Sequence, residues 1–158
     1  MNEREWLTSK RGDEMLDFAQ RIGLDRRLLV RTAAFVIEKE GDPSLLERED
    51  NRQGLRTTFA WSFYAADDDE LLDARKALME ATHATWPSLW LSRAISWATV
   101  SPSESTRWLA MAARAAKRPG VQVSLMRPDS IVQREIPQAA DIIRREIPYE
   151  TIRKAAKQ

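Results

Sequence analysis

The chain contains no cysteine and a single histidine, His83. Without thiols there can be no disulfide framework, no thiolate nucleophile and no cysteine-ligated metal. With one imidazole, a general base working near neutral pH must be His83 or a carboxylate shifted far from its ordinary range. Glycine is scarce at five residues, and no glycine-rich phosphate loop, HExxH segment or Glu-x-x-His repeat occurs. Excess charge is lacking too: 25 basic residues face 24 acidic ones, a net charge of +1. No overall field therefore draws the chain to nucleic acid or to an anionic membrane, and such binding would need a local patch. Nor is there an uninterrupted apolar run approaching the ~20 residues that span a bilayer. The opening Met1-Asn2-Glu3-Arg4-Glu5 is charged and leads into no apolar segment. The expectation is a cytoplasmic protein that does not enter a membrane.

What is present is tryptophan: Trp6, Trp61, Trp86, Trp90, Trp97 and Trp108, in a chain of 158 residues that is 43% hydrophobic and 31% charged. That length and balance fit one folded domain whose core forms without staples. Apolar positions recur at three and four rather than at two, which predicts an all-α, compact multi-helix bundle of about six to eight helices. The domain is expected over residues 1-148. Residues 149-158 are polar and basic, and read as a frayed tail or a short terminal helix.

Local signals set the helix boundaries. A short helix is expected at Glu3 to Leu7, and a second carries Met15, Leu16, Phe18, Ala19 and Ile22 before Gly23. Asp25 reads as the N-cap of a third, ending at Gly41, and Asp42-Pro43 as the start of a fourth, interrupted by Asn51 to Gly54. Leu55, Phe59, Phe63 and Ala66 then share one face of a helix expected to be buried on more than one side. The acidic run Asp67 to Glu70 suits the positive end of a helix, with a divalent-metal site as the less favoured reading. Trp86, Trp90, Ala94 and Trp97 lie on one face of a helix over about Pro87 to Val100, a stripe that reads first as core and second as a platform for a ligand or partner. Ser101-Pro102-Ser103-Glu104 is a capping box that starts a helix with an alanine face. Val121 to Leu125 has a strand-like alternation but no partner, and reads as extended loop. The last helix should break near Ile136, because Pro137 removes a backbone donor.

The order of these pieces resembles a family of uncharacterised helical proteins abundant in planctomycete bacteria. The residues that carry the likeness are Glu5-Trp6-Leu7, Met15-Leu16-Asp17-Phe18 and Asp25-Arg26-Arg27-Leu28, followed by Thr57 to Ala66, Ala110 to Ala116 and Gln138 to Pro148. Family members carry clustered cysteines in the third helix, where this chain has Thr32-Ala33-Ala34-Phe35-Val36, so no metal or redox role transfers. Their Gly-Asn-Pro-Phe-type ending is reduced here to Pro148-Tyr149. The resemblance implies an α-helical fold and no activity.

Function is read by elimination. His83, in Thr82-His83-Ala84-Thr85 at a predicted helix end, fits a cap better than a catalytic base. Carboxylates such as Glu135, Asp141 or Glu146 show no spacing that pairs them. No catalytic residue, metal ligand or cofactor is assigned. The expected role is non-catalytic, a protein-interaction module whose partner is another protein, with Trp6, Trp86 and Trp90 as the first contact candidates. The alternative is nucleic-acid binding through two basic clusters, Arg26, Arg27 and Arg31 in one and Arg144, Arg145, Arg153, Lys154 and Lys157 in the other.

Overall fold

The computed structural model describes residues 1-117 and 133-158. Among the described residues ten α-helices form in chain order, and there is no strand. They are α1 (Glu3–Thr8), α2 (Gly12–Arg21), α3 (Arg26–Glu40), α4 (Pro43–Leu46), α5 (Glu49–Ser62), α6 (Asp68–Glu80), α7 (Trp86–Trp97), α8 (Pro102–Lys117), α9 (Ala139–Glu146) and α10 (Tyr149–Ala156). The all-α bundle is thus the observed class. The Val121 to Leu125 reading lies outside the described residues.

The helix starts are fixed by the side chains that read as caps. Asp25 accepts from the Leu28 amide at 3.1 Å, and Asp42 from the Ser44 amide at 2.9 Å. Asp67 and Glu70 complete a reciprocal capping box at 2.8 Å each way, so two of the four clustered carboxylates are engaged by backbone amides. A third, Asp68, accepts from the Trp61 indole at 2.8 Å. Ser101 reaches the Glu104 amide at the start of α8. Beyond Gln133–Glu135, a 3₁₀ turn, the chain breaks at Ile136-Pro137-Gln138 before α9 begins, as the missing proline donor requires.

Two boundaries differ from expectation. Asn51 to Gly54 interrupts nothing: the short α4 ends at Leu46, and these residues lie inside α5. Asn51 is buried and donates to the Leu45 carbonyl at 2.9 Å, while a Cβ at Gly54 would stand 2.6 Å from a Leu78 methyl. The asparagine closes the α4–α5 corner, and the glycine lets α6 approach. Both uses depend on neighbours far along the chain. Phe63 does not extend the buried face of α5, because that helix stops at Ser62 and leaves Phe63 and Tyr64 exposed, whereas Ala66, beyond the helix, packs half-buried against the Val30, Trp61 and Leu71 cluster.

α8 is the centre of the bundle, packed by α7, α2 and α3. Its Ala110, Ala112 and Ala115 are buried, and Ala94 on α7 and Ala98 just beyond its end are too, so the helices approach closely enough for Ser105 Oγ to donate to the Ala94 carbonyl at 2.6 Å. α9 inserts Ile142 and Ile143 into the same core. The C-terminal segment forms helix α10, which buries Ile152 and packs on α1. Between α2 and α8 lies a wholly buried carboxylate, Asp13, held by Arg11 and by Arg107.

Candidate functional site

The three tryptophans singled out from the sequence end in different places. Trp6 is 0% exposed, with its ring 6.4 Å from that of Phe18, and cannot meet a partner. Trp90 is 8% exposed and sits inside a ladder: its ring stacks on Trp86 at 5.4 Å and on Trp108 at 5.0 Å. The Arg93 guanidinium lies 5.7 Å from the Trp90 ring centre and 5.6 Å from that of Trp108. Only Trp86, at the outer end and 46% exposed, offers a wide surface. The contact set of Trp6, Trp86 and Trp90 therefore reduces to Trp86, because hydrophobic burial claims the other two rings.

The basic clusters are also largely spent on the fold. Arg26 donates to the Thr99 carbonyl, Arg27 to that of Trp61, and Arg31 to that of Ser62 at 2.7 Å. Arg27 is held between the Trp61 and Tyr64 rings at 4.2 and 4.0 Å, and Arg31 over Phe63 at 3.9 Å. These three guanidiniums thus sit at the negative, C-terminal ends of α5 and α7, where orphan carbonyls need donors. Arg144 donates to the Ser9 carbonyl at 2.7 Å, Arg145 lies 3.3 Å from Glu146, and Arg153 lies 2.7 Å from Glu150. Lys154 and Lys157 are exposed on or just beyond α10. The arginines of the second cluster are offset by carboxylates, Arg144 by Asp141, Arg145 by Glu146 and Arg153 by Glu150, whereas Arg26, Arg27 and Arg31 keep their charge but are committed to carbonyls and rings of the fold.

A different surface emerges between α6 and α7. A recess of about 250 Å³ opens there, floored by Leu78 and Ser92 and walled by Met79, Leu89, Trp97 and Val100. Met79 is 75% exposed and Val100 45%, so the walls stand out from the body of the protein. Arg75, Arg93, His83, Ala81 and Ser96 complete the lining, and no carboxylate contributes to it among the described residues. Arg75 is positioned by its Nε, which donates to the Ser96 carbonyl at 3.1 Å. Sequence reasoning missed this site because it joins residues from two helices. The available signal was Leu72, Arg75 and Met79, three positions on one edge of α6 outside its buried Leu71 and Leu78. A second recess, of about 370 Å³, counts Leu91, Leu109, Lys117 and Glu135 among its lining.

His83 stands at the edge of the first recess. Its Nδ1 lies 2.9 Å from Ser88 Oγ, which itself accepts from Arg48 Nη1 at 2.7 Å. Arg48 can only donate, so the hydroxyl accepts from Arg48, and the direction of its bond with Nδ1 is set by the imidazole tautomer. Ser88 is buried, and no described carboxylate hydrogen-bonds to His83, so the pair lacks both an open nucleophile and a group to hold the base. Arg48 also reaches the Thr82 carbonyl at 3.1 Å and Asp50 at 3.3 Å. The arrangement latches the start of α7 to the α4–α5 corner.

Burial pushes the His83 imidazole below its ordinary value, the charges of Arg48 and Arg93 add to that, and Asp50 opposes. The folded state thus binds the His83 proton less readily than the unfolded chain does. The stability contributed by the neutral ring is complete above the unfolded histidine range and is lost as pH falls through the folded value. Thermal unfolding between about pH 7.5 and 5 should show a falling midpoint. His83→Gln should flatten that decline; an equal decline in the variant would place its origin elsewhere.

Comparison of the chain with known protein families, with curated proteins and with solved structures finds no match.

Proposed function

We propose that this chain is a non-catalytic protein-interaction module whose docking face is the edge shared by α6 and α7. The observation that carries the reading is the grouping of exposed apolar side chains, Met79 and Val100, around a recess whose charged lining is all cationic. Trp86 adds an open indole at the start of α7. Exposed aromatic and methionine side chains beside arginine are the composition of interface centres, and a partner with apolar and acidic side chains complements it. The proposed occupant is therefore an acidic, amphipathic segment of another protein.

A catalytic role has less support. The single imidazole is engaged by Ser88, and among the described residues no group of three metal-ligating side chains converges. Nucleic acid is the second reading, but the arginines expected to serve it are bound to carbonyls and carboxylates. The likeness to the planctomycete helical family implies no activity and so does not alter the proposal.

Met79→Glu with Val100→Glu tests the docking face. Both side chains are exposed, so the fold should persist, within about 0.5 kcal/mol for each change. Immobilised wild-type protein should retain from native extract a defined protein that the double variant does not. Equal retention by the two would remove α6 and α7 as the face.

A further inference from the structure

We propose that the recess between α6 and α7 is a binding site for a carboxylate carried on a short apolar chain. The proposal rests on the docking reading and names the chemistry recognised at its centre. Two features converge. The walls are apolar, from Leu78, Met79, Leu89, Trp97 and Val100, and the charged contribution comes from Arg75 and Arg93 with His83 at the edge, while the hydroxyls of Ser92 and Ser96 are spent on the Leu78 and Arg93 carbonyls. Neither arginine has a carboxylate within ion-pair distance among the described residues. The Arg75 guanidinium uses only Nε in a described hydrogen bond, and the Arg93 guanidinium lies beside the Trp90 and Trp108 rings and makes no described hydrogen bond.

A purely apolar occupant would expel water from two guanidiniums and give nothing back, an unfavourable exchange. A simple hydrated anion would leave the apolar walls wet. An apolar chain ending in a carboxylate satisfies both, since a planar carboxylate accepts well-aligned hydrogen bonds from guanidinium donors. The volume of about 250 Å³ holds the equivalent of roughly eight water-sized groups, the size of hexanoate or of an apolar residue with its terminal carboxylate.

The probes are hexanoate and 1-hexanol, which differ in charge at nearly equal apolar area, and the peptide acetyl-Ala-Ala-Leu with a free carboxylate. Binding is read from amide and indole NMR shifts of the intact protein. Hexanoate should bind with a dissociation constant on the order of 1 mM, moving Ser92, Ser96, Trp97 and Val100. Hexanol should bind about tenfold more weakly, and Arg93→Gln should weaken hexanoate by a similar factor. The Arg93 guanidinium makes no described hydrogen bond, so this variant should fold; the hexanoate and hexanol comparison needs no variant. Tighter binding of the peptide would assign the carboxylate to a partner protein's chain end, and tighter binding of hexanoate to a free small molecule. Hexanol binding within twofold of hexanoate, unchanged affinity in Arg93→Gln, or no shift at about 20 mM would overturn the proposal. Loss of hexanoate binding while the Met79 and Val100 positions still govern partner retention would sink this inference alone. Hexanoate binding with retention unaffected by those positions would sink the docking reading instead.

Discussion

Replacing Trp6 by alanine should destabilise the protein by roughly 3–5 kcal/mol, while the same change at Trp86 should cost about 1 kcal/mol. Both are indoles near a helix start, and their surroundings set the difference. Trp6 is fully buried, with its ring near Phe18 of α2, and its backbone carbonyl accepts from Arg144 of α9 at 3.2 Å, so this residue ties α1 to both helices. Its removal leaves a cavity that nearby helices can only partly fill. Trp86 has one face on Trp90 and much of the ring in solvent. Its loss forfeits a stacking contact and little burial. Trp6→Ala should therefore lower the thermal midpoint by about 10 °C for a domain of this size, against a few degrees for Trp86→Ala. Similar losses at the two positions would mean that the indoles are not divided between core and surface in this way.

A loss of about 3 kcal/mol is expected for Arg107→Ala, from a polar cause. Asp13 is 0% exposed, accepting from Arg107 Nε at 3.0 Å and from Arg11 Nη2 at 2.9 Å. Arg107 also reaches Asp17 at 3.0 Å and Glu104 at 2.6 Å, so one guanidinium ties α2 to α8. Burial alone would raise the Asp13 carboxyl, but hydrogen bonds and charge from Arg11 and Arg107 overcome this and hold it below the ordinary value. Deleting Arg107 leaves a buried carboxylate with only Arg11 as partner. Asp17→Ala removes an exposed contact of the same arginine and should cost no more than about 1 kcal/mol.

The pH dependence distinguishes this from simple loss of packing. A depressed Asp13 contributes stability above the ordinary carboxylate range and loses it as pH falls through the folded value. The gap between wild type and Arg107→Ala in denaturant midpoint should thus narrow below about pH 4. A gap that stays constant with pH would assign the effect to the arginine's hydrocarbon contacts.

What could be read from the chain depended on how local the cause was. Asp25, Asp42-Pro43, Asp67 and Ser101 disclose helix starts because each cap bonds to an amide within a few residues. Pro137 discloses a break for the same reason. Gly54 and Asn51 looked like helix breakers, yet Leu78 and the Leu45 carbonyl give them roles inside α5 that no local pattern contains. Arg26, Arg27 and Arg31 read as a basic cluster open to nucleic acid because their carbonyl partners lie 73, 34 and 31 positions away. The tryptophan stripe was visible, but the rung that decides its meaning is Trp108, contributed by another helix. Burial of Trp90 follows from that rung, and exposure of Trp86 from its place beyond the last one.

Photocrosslinking in the native host, with a crosslinking amino acid placed at Met79 or Val100 and, as controls, at Glu38 or Lys39 on α3, tests the docking face most directly. All four positions are exposed, so accessibility does not favour either set. The account predicts that Met79 and Val100 capture the same protein and that Glu38 and Lys39 do not. Capture of that protein mainly from α3, or equally from all four positions, would contradict it.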